Sequence, residues 1–579
     1  MSSKAHRAKT KAKVVFCWHM HQPDYRDRLT GDYYFPWTYL HALKDYTDMA
    51  AHLEDSSGAR AVVNFAPILL EQLDDYEDQL QAYLKQGKAI KDPALAVLVR
   101  EDLPLAGSEE FEAQVNNCLR ANRTRMINRF APYAYLIQLW ELAQESPQGS
   151  SYLSAQFLID LVVWYHLSWL GEYARRMDSR IRTLQDKGSN YSYQDRRMLL
   201  AIIAEQLASI KPRYRKLQEQ GRIELTMSPY AHPILPLLLD LNSTHEAMPD
   251  APLPQAEGYP GGPDRAVWHL RKGLEVFEDY FGCRPSGCWA SEGALSDACL
   301  DLLDRAGFQW TATGDSVLHN SLKHTGNEGL RPEQLHRTYA FEGKSVRCFF
   351  RDDGLSDLIG FQYADWHAED AVGDLINHLT NIARASDNPE GCVISIIMDG
   401  ENAWEYYPEN AWYFLEALYR RLSDHPEFEL TTYNKLLDRN LNQNGVEPVT
   451  LKHLVAGSWV YGTFSTWIGD VDKNKAWDLL CAAKEAYDRF VPMLNPKEQK
   501  EAELQLAQCE GSDWFWWFGD YNPSEAVEDF DYLYRRHLIN LYRMLKQPIP
   551  DNLHQPISKG GGNPASGGVM RRGHAQETV

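Results

Sequence analysis

One pattern recurs along the chain: a short apolar, β-branched run, a polar or aromatic cluster where it stops, then a longer stretch with helical periodicity. It reads so at VVFCWHMHQP (from Val14), AVVNFAP (from Ala61), IELTMSPYAHP (from Ile223) and GCWASEG (from Gly287). It returns at FQWTATGDS (from Phe308), VRCFFRDD (from Val346) and VISIIMDGEN (from Val393), with FELTTYNKLL (from Phe428) as a candidate eighth. Short β-rich runs alternating with helices predict parallel strands in β/α units. Seven or eight such units favour a closed or nearly closed barrel over a doubly wound open sheet.

Two regions depart from the pattern. Residues 75–215 carry helical periodicity without strands, as in LRANRTRMINRFAPYAYLIQLWELA and QDRRMLLAIIAEQLASI, and predict a helical insertion beside the barrel. Beyond about residue 445 the strand signal fades. KNKAWDLLCAAKEAYDRF and DYLYRRHLINLYRML are amphipathic and predict a C-terminal helical domain over 445–548. The catalytic unit is thus expected over 14–444. A basic tail at 1–13 and the Gly/Pro/Ser-rich stretch at 549–579 are expected to be disordered.

Composition narrows the function classes. With 80 acidic against 59 basic residues the formal charge is −21, which argues against nucleic acid and anionic membrane surfaces as partners. The chain holds 17 Trp and 31 Tyr, several in turn-like stretches, where flat faces can stack on sugar rings. Its nine cysteines are scattered and form no C-x-x-C, so neither a disulfide framework nor a structural zinc site is expected. Residues 1–13 lack an apolar core for a secretory signal, and LIDLVVWYHLSWL at 158–170 is short and broken by Asp160 and His166. No G-x-G-x-x-G opens the first unit and no P-loop occurs. The expectation is a soluble cytoplasmic protein without a nucleotide cofactor.

In β/α barrels the active site forms where strands end. That places His19, His21, Asn64 and His232 around one mouth with Trp289, Glu292, Asp315, Arg351, Asp352, Asp357, Asp399 and Glu401. His19 and His21 in HMHQPDY share a strand face, so they could ligate a metal with His232 or an aspartate as third ligand. They could equally be packed at a strand end, or donate hydrogen bonds to a polyhydroxylated ligand. In GCWASEGALSD, Glu292 falls where the chain turns towards a helix, a place that also suits an ordinary first-turn acid. In IIMDGENAWEYY, Asp399 ends the strand beside Met398 and Trp404, where partial desolvation would raise its pKa and suit proton donation. Glu405 reads as early-helix charge. Two carboxylates at one mouth among aromatics describe glycosidic bond cleavage. Spacing alone does not assign their roles, nor exclude Glu401 as the partner.

Taken together, HMHQP, MSPYAHPILPLL, GCWASEGALS, WTAT, FRDDGLSDLIGF and MDGENAWEYYP resemble glycoside hydrolase family 57, over most of residues 14–540. GSWVYGTFSTWIGDVDKNKAW and GSDWFWWFGD resemble its amylopullulanase/α-amylase group. The resemblance implies a (β/α)7 barrel with a helical domain completing the cleft, and a retaining mechanism without cofactor or catalytic metal. It implies Glu292 as nucleophile, Asp399 as general acid/base, and His19, His21 and His232 as substrate-pocket histidines. Trp289, Arg351, Asp357, Glu401, Trp404, Trp459 and Trp467 are further substrate-binding candidates. Most of DWFWWF is expected to fasten the C-terminal helices to the barrel, with one or two rings stacking on sugar; Asp513 and Asp520 are expected to be structural or outer-subsite groups. The expected partner is an α-glucan polysaccharide or maltooligosaccharide, glycogen or maltodextrin being favoured. The alternatives are a 4-α-glucanotransferase or branching enzyme and, from another class, a non-catalytic glucan-binding protein.

Overall fold

The computed structural model describes residues 11–326, 332–438 and 447–562. Seven parallel strands close into a barrel: β1 (Ala12–Met20), β2 (Ala61–Phe65), β3 (Ile223–Met227), β4 (Gly287–Cys288), β5 (Trp310–Gly314), β6 (Arg347–Arg351) and β7 (Val393–Asp399). Each pairs with the next, Arg351 opposite Ser395 joins β6 to β7, and β7 returns to β1 over seven register positions ending at His19↔Asp399. Surrounding helices and the C-terminal helical region complete the (β/α)7 architecture. Among the described residues, the candidate eighth strand, Phe428–Leu430, pairs only with Ala12–Val14. It takes the part of the β1 edge that β2 leaves free, since β2 begins pairing at Cys17.

The bore is packed, not hollow. Val15, Cys17, Trp310 and Phe349 point inward, and Tyr433 plugs the end remote from the mouth with its ring 4.3 Å from both Trp310 and Phe349. Inward alternation along each strand fills the axis and sends the other residues to the helix layer.

Between β2 and β3 lie the helices Pro67–Gln86, Pro93–Val99, Glu109–Cys118, Ala131–Gln144, Ala155–Trp169 and Tyr193–Glu219. Several starts are fixed by side-chain caps: Asp92, Ser108 and Ser154 accept from backbone N–H groups, and Ser192 with Asp195 forms a capping box. The expected insertion limits of 75 and 215 fall inside the first and last of these helices, because periodicity locates a helix but not its ends. The 158–170 stretch is a buried part of Ala155–Trp169. Among the described residues no helix is long and apolar enough to cross a membrane.

The C-terminal region contains Val471–Phe490, Pro496–Cys509, Asp513–Trp517 and Ser524–Met544. Two boundary expectations are corrected. Strand β1 already begins at Ala12, inside the expected basic tail; residues 1–10 lie outside the described residues. Residues 549–562 are ordered: Leu553 and Ile557 are buried, and Asp531 Oδ1 accepts from the backbone N–H of Ile557 and Ser558 at 2.7 and 3.2 Å. Gly- and Pro-rich sequence lacks helical periodicity, yet a buried carboxylate with free lone pairs can still pin it as an extended strap. The remainder, 563–579, lies outside the described residues.

Candidate active site

Three histidines converge above the strand ends. Asn64 Oδ1 accepts from Ser228 Oγ and lies 2.7 Å from His19 Nδ1, so that nitrogen carries the proton and donates. His19 Nε2 is then an acceptor, and the His232 Nε2 proton reaches it across 3.1 Å. His232 Nδ1 in turn accepts from Ser512 Oγ at 2.9 Å. The assignment makes both rings neutral. It agrees with their burial, which pulls His19 down to about 3 and His232 well below the usual imidazole value, with the charge of His21 acting the same way. His21 differs: burial lowers it, but Asp513, 2.8 Å from Nε2, together with Glu292 and Glu401 outweighs that and raises it. The rings stack, His21 on His232 with centroids 3.8 Å apart.

Glu292 occupies a strained turn. Its backbone is left-handed (φ 59°), as is that of His232 (φ 57°), a conformation costing about 1–3 kcal/mol for a residue with a Cβ. Gly293 follows at φ 60°, and any side chain there would meet the Trp289 ring at 2.8 Å. The turn is held from outside. Leu295 and Gly457 exchange backbone hydrogen bonds of 2.9 and 3.1 Å, bringing the GSWVYG loop alongside. Trp459 N then donates to Glu292 O at 3.1 Å, and Trp459 Nε1 donates to Glu292 Oε2 at 3.0 Å.

Asp399 ends β7 beside His19 and accepts from Asn402 Nδ2 at 3.0 Å. Glu292 and Asp399 line one cleft of about 910 Å³, at the upper end of the range for small-molecule sites. Burial and the facing Asp399 push Glu292 up to about 8, and burial raises Asp399 as well. The negative charge of Asp399 thus makes Glu292 harder to ionise. Glu401 lines the same cleft. It accepts from Gln22 Nε2 at 2.8 Å and from the Tyr46 hydroxyl, and burial raises it to about 7. Its hydrogen bonds thus go to an amide and a phenol, not to a histidine.

This burial has a stability consequence. A carboxyl whose pKa is raised on folding costs nothing below its unfolded value, and the cost grows as pH rises towards the folded value. For Glu292 that window runs from 4.5 to about 8. Glu292→Gln is therefore expected to melt higher than the wild type at pH 8, by on the order of 1–3 kcal/mol in stability, with the gap closing towards pH 4.5. Thermal melts at several pH values check this; a gap independent of pH would contradict it.

Several sequence candidates take other positions. Trp404 and Trp467 are fully buried: Trp404 donates to Gly400 O at 2.8 Å, and Trp467 lies behind Trp516. Neither offers a face to a sugar. Trp289 is equally buried, beneath His19 and Trp459. Arg351 donates to Ile397 O at 2.7 Å and to Asp357 at 3.1 Å, so this pair ties β6 to β7 and to the next helix rather than lining the cleft. Arg351 also borders a small side chamber with Asp399, Trp459 and Trp516. Asp315 begins the Asp315–His324 helix and accepts from Asp353 N, and Asp352 caps the Asp353–Phe361 helix. Asp315 and Asp352 share one reason: a strand end must also start a helix, and that need consumes polar groups.

Other residues enter the cleft unexpectedly. Trp37 lies on one wall, backed by the buried Trp169 at 5.8 Å, while Trp516, Trp517 and Phe530 of the C-terminal helices form another. DWFWWF is thereby divided, since Trp514, Phe515 and Phe518 are buried and Asp520 is exposed. Glu405 is not ordinary helix charge: it lines the cleft, and burial raises its pKa against Lys44 and His41. Asp513 is the partner of His21, not an outlying group. No periodicity marks these positions; only the run of tryptophans was a signal.

Potential ligand atoms of His21, His232 and Asp513 lie within 4.8 Å of one another, a set that could hold a metal ion. The hydrogen bonds above already engage these groups, and the protonated His21 would first have to lose its proton.

Residues 15–450 match the family described as Glycosyl hydrolase family 57. The chain belongs to that family. It is accordingly an enzyme of glycosidic bonds, and the family's barrel is the fold described above. A GH57-type branching enzyme from Pyrococcus horikoshii is similar in structure at TM-score 0.55 and 15% identity, covering 92% of this chain and 89% of that one. An α-amylase from Thermotoga maritima gives 0.53 at 12% identity, covering 94% and 96%. A 4-α-glucanotransferase from Thermococcus litoralis gives 0.51 at 14%, covering 92% of this chain and 60% of that one. A search of curated proteins finds no match.

Proposed function

We propose that this family 57 enzyme cleaves α-1,4-glucosidic bonds of glycogen, starch or maltodextrin, with α-1,6 bonds as a further linkage, by a retaining mechanism. The observation that carries the proposal is the pair of buried acids, Glu292 and Asp399, on one cleft with raised pKa values and aromatic walls. Asp399 protonates the glycosidic oxygen while a Glu292 oxygen attacks C1, and the leaving sugar departs. In the second half Asp399 removes a proton from water, whose oxygen displaces Glu292 from C1. The productive form has the proton on Asp399 and Glu292 ionised. Trp459 Nε1–H favours it by stabilising the Glu292 anion. The neutral His19–His232 pair and the Gln22–Glu401 pair hold a fixed hydrogen-bonding lattice around the dyad, suited to sugar hydroxyls. The names of the three similar structures support an α-glucan as substrate class.

A sugar hydroxyl arriving in place of water would give transfer. Incubation with maltoheptaose separates the two: hydrolysis is expected to give only shorter sugars, resolved by chromatography. A ladder that includes longer products would replace the hydrolase reading with a transferase one, and no turnover at all would overturn the enzymatic proposal.

A further inference from the structure

One segment crosses the rim of the cleft and is tied at both ends. Arg120, Asn122 and Arg123 line the cleft between the Glu109–Cys118 helix and the turn Arg123–Ile127. On one side Arg120 Nη1 donates to Asp529 Oδ2 at 2.6 Å, and its Nη2 lies 3.7 Å from Glu525. Those two acids sit four residues apart on the Ser524–Met544 helix, hence on one face, and both line the cleft. The Arg120 guanidinium also lies over the Phe35 ring, 5.6 Å from its centre, in the stretch that follows β1. On the other side Arg125 Nε donates to Tyr406 O at 2.8 Å, in the loop that follows Asp399, and Arg125 Nη2 is 3.2 Å from Asp365. Asn122 Oδ1 accepts from the N–H groups of Thr124 and Arg125, which fixes the turn between the two arginines.

We infer that residues 120–125 form a strap closing one end of the cleft, with Arg120 as the residue that sets how long a glucan the enzyme accepts. The inference rests on the α-glucan reading above and extends it to chain length. A sugar chain running along the aromatic walls must end or turn where the strap joins the C-terminal helix to the catalytic loop. Short chains and chain ends fit beneath it; an uninterrupted polymer requires the Arg120–Asp529 contact to open. The pair is about one quarter exposed on each side, so salt weakens it without abolishing the fold.

The test compares kcat/KM on long amylose with that on maltoheptaose for the wild type, Arg120→Ala, Asp529→Asn and the charge swap Arg120→Glu with Asp529→Arg. Each single change is expected to raise the amylose-to-maltoheptaose ratio about tenfold, and the swap to bring it back towards the wild-type value. The wild-type ratio is also expected to rise from low salt to about 1 M, a reading that does not depend on any variant folding. Flat ratios in the single variants, or a wild-type ratio indifferent to salt, overturn the strap while leaving the glucan reading intact. A wild type inert on both substrates overturns both.

Discussion

Glu292→Gln is expected to lower turnover of maltooligosaccharides by about four orders of magnitude or more, because an amide cannot form the glycosyl ester. The substitution keeps the shape of the turn and leaves Trp459 Nε1 an oxygen to bond, so KM should change little. A decisive companion is Glu292→Ala with added azide. The small anion can enter from the vacated side and should give a β-glycosyl azide from an α-linked substrate, the inverted product. Wild-type turnover in Glu292→Gln would remove this residue from the mechanism. In that case Glu401, which burial raises to about 7, would be the next acid to examine.

Asp399→Asn is the second large effect. Loss of the proton donor should slow natural glucans by about 10²–10⁴-fold. An aryl glycoside with a good leaving group needs no proton in the first half-reaction and should be affected much less there, with the glycosyl-enzyme accumulating. Azide with Asp399→Ala should give the α-glycosyl azide, of retained configuration, since it now intercepts the intermediate. The pH profile supplies an independent sign. After burial, the charge of Asp399 is the largest cause raising Glu292. Removing it should shift the acid limb of kcat/KM for the aryl substrate to lower pH, because Glu292 then ionises more easily. A limb that stays in place, or moves upward, would mean that the two carboxylates do not feel each other.

The histidines show why roles are hard to read from residue types. His19, His21 and His232 look alike in a sequence, yet the structure makes two neutral and raises the pKa of the third. The difference lies in partners far away in the chain: Asn64 for His19, Ser512 for His232 and Asp513 for His21. His21 holds its proton more tightly because a carboxylate from the C-terminal helices reaches it, and its charge, when protonated, acts on both catalytic candidates. The C-terminal region thus contributes to the electrostatics of the site as well as to its walls.

The sequence by itself determined seven or eight β/α units and the end of each strand that carries chemistry, and its family resemblance singled out the two acids that line one cleft. Apolar runs record burial on both faces, and the rule that strand ends form the mouth turns their order into a map. It did not determine which tryptophans face the cleft. Trp404 and Trp467 are buried while Trp37, Trp516 and Trp517 line it, and all five look alike as residues. Nor did it reveal the alignment of Trp459 with Glu292, the Arg120–Asp529 tie, or the ordered strap at 549–562. Those features are contacts between segments separated by tens to hundreds of positions. Local pattern records whether a residue is buried and with what period; the identity of its neighbour across the fold is set only when the barrel closes and the helices dock.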